Sequence, residues 1–187
     1  DLERLPELLL ADGSDEQLEF VSPIARAELY LVDAIVTVWS ESNTRALTRA
    51  DPQRHQRLLG ATQQLAKRRW ERMAAGELGW CGVLFPTEAH AQDAEMSLAE
   101  YARFVFRACH VEDPGDPVAH WRSVRDELGA RVQELSEVRE LRIVGPGTDL
   151  KLGVAGRRWK PADGRYNMPD GEVYTSPLED LTEGEIS

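Results

Sequence analysis

Hydrophobic and polar positions repeat along these 187 residues with two different periods, and the change falls near residue 138. Before it the helical period dominates. Leu2, Leu5, Leu8 and Leu9 share one face, and Ile24, Leu29 and Leu31 continue the theme through the first helical pieces. DAIVTVW at 33–39 interrupts them with a short β-branched run, the pattern of a strand buried on both faces. Asp51-Pro52 then supplies an N-cap residue with Pro at the first helical position. Leu58, Leu59, Thr62, Leu65, Ala66 and Met73 recur at three- and four-residue steps until Gly76 ends the helix. LGWCGVLFP at 78–86 predicts a second buried strand, stopped by Pro86.

Thr87 caps a short helical turn, and Ser97 with Glu100 forms a capping box ahead of Tyr101, Phe104, Val105 and Ala108. A second Asp-Pro pair, Asp116-Pro117, opens a helix with Val118, Trp121, Val124, Leu128, Val132 and Leu135 along one stripe. Strand, helix, strand, helix, helix predicts an α/β fold: a layered N-terminal domain over residues 1–145 with a mostly parallel sheet. From Leu141 onward the period falls to two. Leu150, Leu152 and Val154 alternate with Lys151, Gly153 and Ala155, and tight turns fall at GPGTD, Ala155-Gly156 and ADG (162–164). Residues 146–187 therefore read as a short antiparallel β segment.

Charge removes several function classes. With 33 acidic and 22 basic residues the formal net charge is −11, a field that repels phosphate backbones and anionic lipid. No nucleic-acid or membrane partner is expected. No apolar run reaches the roughly 18 residues of a membrane-spanning helix, and no basic segment precedes the leucines of DLERLPELLL as in a secretory signal. The missing initial Met suggests a chain that begins mid-protein or after processing. Cys81 and Cys109 read as free buried thiols in a reducing cytoplasm.

Most candidate sites have plain structural readings. His55 and His120 fall just inside helices, His90 follows a cap and His110 lies at a helix end; none is spaced as a metal-binding pair. GPGTD lacks the Lys and following helix of a phosphate loop and sits between strands. Trp70, Trp80, Trp121 and Trp159 fall on faces expected to be buried. The acidic tail differs. Between Pro161 and Ser187 seven carboxylates face one base, Arg165, and Glu172 stands between the turn Pro169-Asp170-Gly171 and the strand residues Val173 and Tyr174. Residue pattern leaves two readings open: a solvated hairpin carboxylate, or a rigidly held oxygen ligand for a divalent cation.

GPGTDLKLGVAGRRW and DGRYNMPDGEVYTSP, in that order and spacing, resemble the middle of the thermophilic-type metalloaminopeptidases, the group that includes aminopeptidases T and S. Upstream, RWERMAAGELGWCGVLFPTEAHAQDAEMSLAEYARFVFRAC and DPVAHW are similar to the family's α/β N-terminal domain, so the resemblance covers most of the chain. NMPDGEVYTSP carries the specificity.

The resemblance implies an exopeptidase that removes N-terminal residues from peptides with two divalent metal ions, zinc or cobalt, which activate a water for attack on the scissile carbonyl. It makes Glu172 the counterpart of a metal ligand. The family's remaining ligands lie downstream of the matching segment. The chain is thus expected to be an N-terminal domain plus the opening of a catalytic domain, inactive alone and holding no metal tightly. The parent is expected to be a cytoplasmic homodimer acting on peptides with a free N-terminus. The alternative is a non-catalytic α/β binding or dimerisation module. A nucleotide-binding domain is weakened by the absence of a GxGxxG turn.

Overall fold

Helix boundaries fall where the capping residues put them. The computed structural model describes residues 4–112, 114–177 and 184–186, and the chain divides into two compact units, Asp1–Val105 and Phe106–Ser187. In the first unit, α1 (Leu5–Asp12), α2 (Asp15–Leu18) and α3 (Pro23–Leu31) precede β1 (Ala34–Trp39). Then follow α4 (Pro52–Ala74), β2 (Gly79–Leu84), α5 (Glu88–Asp93) and α6 (Leu98–Ala108), whose last turn reaches the second unit. Asp51 accepts from the backbone N–H groups of Gln53 and Arg54, and Thr87 from that of His90. Ser97 and Glu100 close the expected capping box. Gly76 follows α4 at φ 74°, the left-handed geometry that ends the helix.

β1 and β2 run parallel, with Ala34 opposite Gly79 and Trp39 opposite Leu84. The expected strands and their parallel pairing are present; their double-sided burial is not. Ala34, Val36 and Val38 are exposed, because among the described residues nothing covers that face of β1. On the opposite face the Trp80 indole N–H donates to the Thr37 hydroxyl at 3.0 Å, and Trp39 meets Trp80 edge-on.

The buried apolar positions of this unit are Leu10, Leu18, Leu29, Leu78, Ala91 and Val105. Several expected core residues lie outside. Leu5, Leu8, Ile24, Leu31, Leu59, Trp70 and Phe104 are exposed, and Leu2 lies outside the described residues. On α4 the inward stripe passes instead through Arg54, Leu58, Ala61, Leu65 and Arg72. The arginines are there because backbone carbonyls await them. Arg54 donates to the carbonyls of Leu9, Leu10 and Gly13 at the end of α1, and Arg72 to those of Leu29, Val32 and Glu77.

The loop after β1 is fastened to α5 by side chains. The Thr44 hydroxyl and the Arg45 guanidinium donate to Asp93 at 2.6 and 2.7 Å, and the Thr87 hydroxyl donates to the Glu41 carbonyl at 2.7 Å. The Thr44 hydrogen bond, followed by the bond and charge of Arg45, holds the Asp93 carboxyl below its ordinary value. A lowered folded value stabilises above the ordinary carboxylate range, and the contribution disappears as pH falls through the folded value. Asp93→Asn is therefore expected to lower the melting temperature at neutral pH. The two curves should converge by about pH 2, below the usual carboxylate range. A constant gap between the melting curves at all pH values would exclude Asp93 ionisation as the cause.

In the second unit, α7 (Pro117–Ser136) is followed by β3 (Glu140–Gly145), β4 (Thr148–Gly153), β5 (Trp159–Ala162), β6 (Asn167–Met168), β7 (Glu172–Thr175) and β8 (Gly184–Ile186). β3 and β4 form the antiparallel hairpin that GPGTD predicts, braced where Arg142 donates twice to Asp149 at 2.8 and 2.7 Å. β8 pairs with β4, Leu150 opposite Ile186. Asp116 caps α7, whose half-buried stripe runs through Trp121, Val124, Leu128, Val132 and Leu135, while Val118 is exposed. Val154, Ala162 and Cys109 are buried, and the Trp121 indole N–H donates to the Cys109 carbonyl at 2.9 Å. Neither cysteine is in a disulfide, Cys109 is buried as expected and Cys81 is only half-buried; burial pushes the Cys109 thiol up.

Candidate functional site

The stretch from Ala162 to Glu172 is a loop whose two ends are held together by backbone. β5 and β7 pair antiparallel with Ala162 opposite Glu172, and the Gly171 N–H donates to the Ala162 carbonyl at 3.0 Å. Glu172 is thereby the first residue of β7, as the Pro-Asp-Gly turn before it predicts. Its side chain is exposed and has no ion pair or hydrogen bond among the described residues, so both carboxylate oxygens keep their lone pairs. The Met168–Pro169 peptide bond is cis.

Two glycines make this loop possible. Gly171 sits at φ 128°, which side-chain-bearing residues rarely adopt. Gly164 sits at φ 81°, and a Cβ there would lie 3.0 Å from Trp121 Cε3 and 3.1 Å from Met168 Cε. A side chain at Gly164 would thus meet both backbone strain and a packed wall.

Two further carboxylates are engaged inside the loop. Asp163 is 9% exposed, and its Oδ2 accepts from Arg125 Nε of α7 at 2.8 Å while Oδ1 accepts from the Arg165 N–H at 3.3 Å. Asp170 Oδ2 accepts from the Gly164 N–H at 3.0 Å, joining the two sides of the loop. In the sequence both aspartates are simply two of the seven tail carboxylates. The Asp163–Arg125 pair spans helix and hairpin, and no local spacing announces it.

The histidines are more engaged than their spacing suggests. His90 places Nε2 3.0 Å from Glu41 Oε2 and is largely buried. His110 and His120 stack with ring centroids 3.6 Å apart, and Trp121 meets both edge-on. Stacked rings direct their in-plane lone pairs side by side rather than at one point. Among the described residues no group of three or more His, Cys, Asp or Glu side chains could hold a metal ion. The described residues thus do not complete a coordination shell around Glu172, whose carboxylate offers two oxygen acceptors. No described helix is long and apolar enough to cross a membrane.

The chain matches the thermophilic metalloprotease (M29) family over residues 2–187, and it belongs to that family. Family membership implies use of a divalent metal. Among solved structures it is similar to wild-type AmpT from Thermus thermophilus, with a TM-score of 0.72 and 26% identity. That match covers 97% of this chain and 49% of AmpT, so the chain spans about half the length of that relative. No curated protein matches it.

Proposed function

We propose that this chain is the α/β N-terminal domain (1–145) and the opening of the catalytic domain (146–187) of a dinuclear aminopeptidase. Glu172 supplies one metal ligand, and the other ligands lie in sequence outside these residues. The observation that carries this reading is Glu172 itself, its carboxylate exposed and unengaged among the described residues and its backbone held at a strand start beside the Gly171-to-Ala162 bond. The similarity to AmpT supports it. Two divalent ions, zinc or cobalt, would supply Lewis acidity for hydrolysis of the N-terminal peptide bond. Glu172 would contribute negative charge and one oxygen donor to hold them.

A cytoplasmic homodimer belongs to the same reading. Ile24, Leu31, Trp70 and Phe104 of the first unit are exposed and open to a subunit contact. The full-length protein, given cobalt or zinc, is expected to release nitroaniline from aminoacyl-nitroanilides and to spare N-acetylated substrates. Cleavage of blocked peptides at internal bonds would rule out an exopeptidase. The 187-residue chain is expected to show no turnover above its own Glu172→Ala control and no micromolar zinc binding by calorimetry, because one carboxylate does not make a tight site.

One observation favours a second reading, a binding module. A cavity of about 540 Å³ opens at the carboxyl end of β1, lined by Val38, Ser40, Glu41, Asn43, Ala46 and Leu47. Open α/β sheets place ligands at such strand ends.

A further inference from the structure

We infer that Arg125, Asp163 and Asp170 act as a clamp that positions the backbone from which the Glu172 carboxylate projects. This inference rests on the proposed role of Glu172 as a metal ligand. Glu172 enters β7 opposite Ala162, so its Cα can be no better placed than Ala162 and the loop that returns from it. Each end of that loop carries an aspartate that accepts a hydrogen bond, Asp163 buried and Asp170 half-buried. Asp163 follows Ala162 directly and ties the strand end to α7 through the 2.8 Å bond from Arg125. Asp170 lies two residues before Glu172 and reaches back 3.0 Å to the Gly164 N–H. The 3.0 Å Gly171-to-Ala162 bond lies between these two braces.

Three fixed points therefore surround the base of Glu172, and each uses a different kind of bond. Asp163 is an ion pair to a helix, Asp170 a carboxylate-to-amide bond, and Gly171 a backbone bond. The electrostatics explain why the inner pair matters. The Asp163 side chain is 11% exposed, whereas Arg125 is 53% exposed. Removing the arginine would leave a nearly buried carboxylate with only the 3.3 Å Arg165 N–H, and the loop would have to open to hydrate it. Partners outside the coordination shell orient its ligands, so a shift of this loop would alter the direction from which Glu172 reaches an ion. None of the three residues need touch metal or substrate; they are positioning residues.

The test uses the full-length protein and reads zinc affinity by competition with a chelator, alongside kcat and KM. Glu172→Gln serves as the reference. Arg125→Met and Asp170→Ala are expected to weaken zinc binding about 10- to 100-fold, the range of outer-shell losses. KM for the peptide should stay within about threefold, because substrate contacts are untouched. Asp170→Asn is the discriminating variant. Its amide oxygen still accepts from the Gly164 N–H, so zinc affinity should recover to within about threefold of the parent. A merely destabilising change would not show that recovery at the metal. Should Arg125→Met fail to fold, the Asp170 pair decides alone.

If Glu172→Gln loses zinc while Asp170→Ala and Arg125→Met keep it, the clamp is wrong and the ligand assignment stands. If Glu172→Gln keeps its zinc, the ligand assignment fails and takes the clamp with it.

Discussion

Arg72→Met is expected to lower the unfolding free energy of the first unit by about 3–5 kcal/mol, because it strands one buried and two part-buried carbonyls at once. Arg72 is 8% exposed although it sits on a helix rich in solvent-facing charge. Its guanidinium donates to the Leu29 and Val32 carbonyls and, at 3.1 Å, to that of Glu77, with the Glu77 carboxylate 3.6 Å from Nε. Leu29 lies in the last turn of α3 and Val32 is its C-cap, so these carbonyls belong to a helix end with no further backbone donors to meet them. A cation there also complements the negative end of the helix dipole. Methionine fills much of the volume and satisfies none of the acceptors. Lysine would restore the charge but not a fork able to reach three oxygens, so Arg72→Lys should recover only part of the loss. Urea unfolding followed by far-UV circular dichroism measures both variants. A loss under about 1 kcal/mol for Arg72→Met would mean that water satisfies these carbonyls and that the guanidinium is not their main partner.

This residue also shows where sequence pattern stops being informative. Caps are local: Asp51, Thr87, Ser97 with Glu100, and Asp116 each bond within three residues of themselves, and all sit where spacing places them. The GPGTD hairpin and the junction at Glu172 are equally local. Arg54 and Arg72 are not. A hydrophobicity pattern assigns an arginine to solvent, and only the arrival of a helix end from forty-odd residues away makes it an interior residue. The same blindness made Leu31 and Trp70 look like core, because nothing in the described structure arrives to cover them. At the candidate site, the carboxylate at the turn was legible. The Arg125–Asp163 pair that braces it joins residues 38 apart in sequence, and the His110–His120 stack likewise depends on the fold.

Glu172→Gln in the full-length protein should show the opposite signature to Arg72→Met: activity lost, stability kept. The side chain is exposed and makes no bond among the described residues, so its replacement should change the unfolding free energy by less than about 0.5 kcal/mol. Gln keeps the length and shape of Glu and keeps Ala162 opposite position 172, since that pairing is made by backbone. What it removes is the negative charge and one of two equivalent oxygen donors. Hard and borderline divalent ions depend on both, so peptidase activity at stoichiometric zinc or cobalt should fall by more than the roughly 100-fold upper range of outer-shell changes. Excess metal should restore part of it, because the defect is in occupancy as well as in geometry. Metal content by atomic emission and melting temperature, measured on the same samples, separate this outcome from misfolding. A variant with normal metal content and activity within about threefold of the parent would return Glu172 to an ordinary hairpin residue, leaving the family's metal to be held entirely by other side chains.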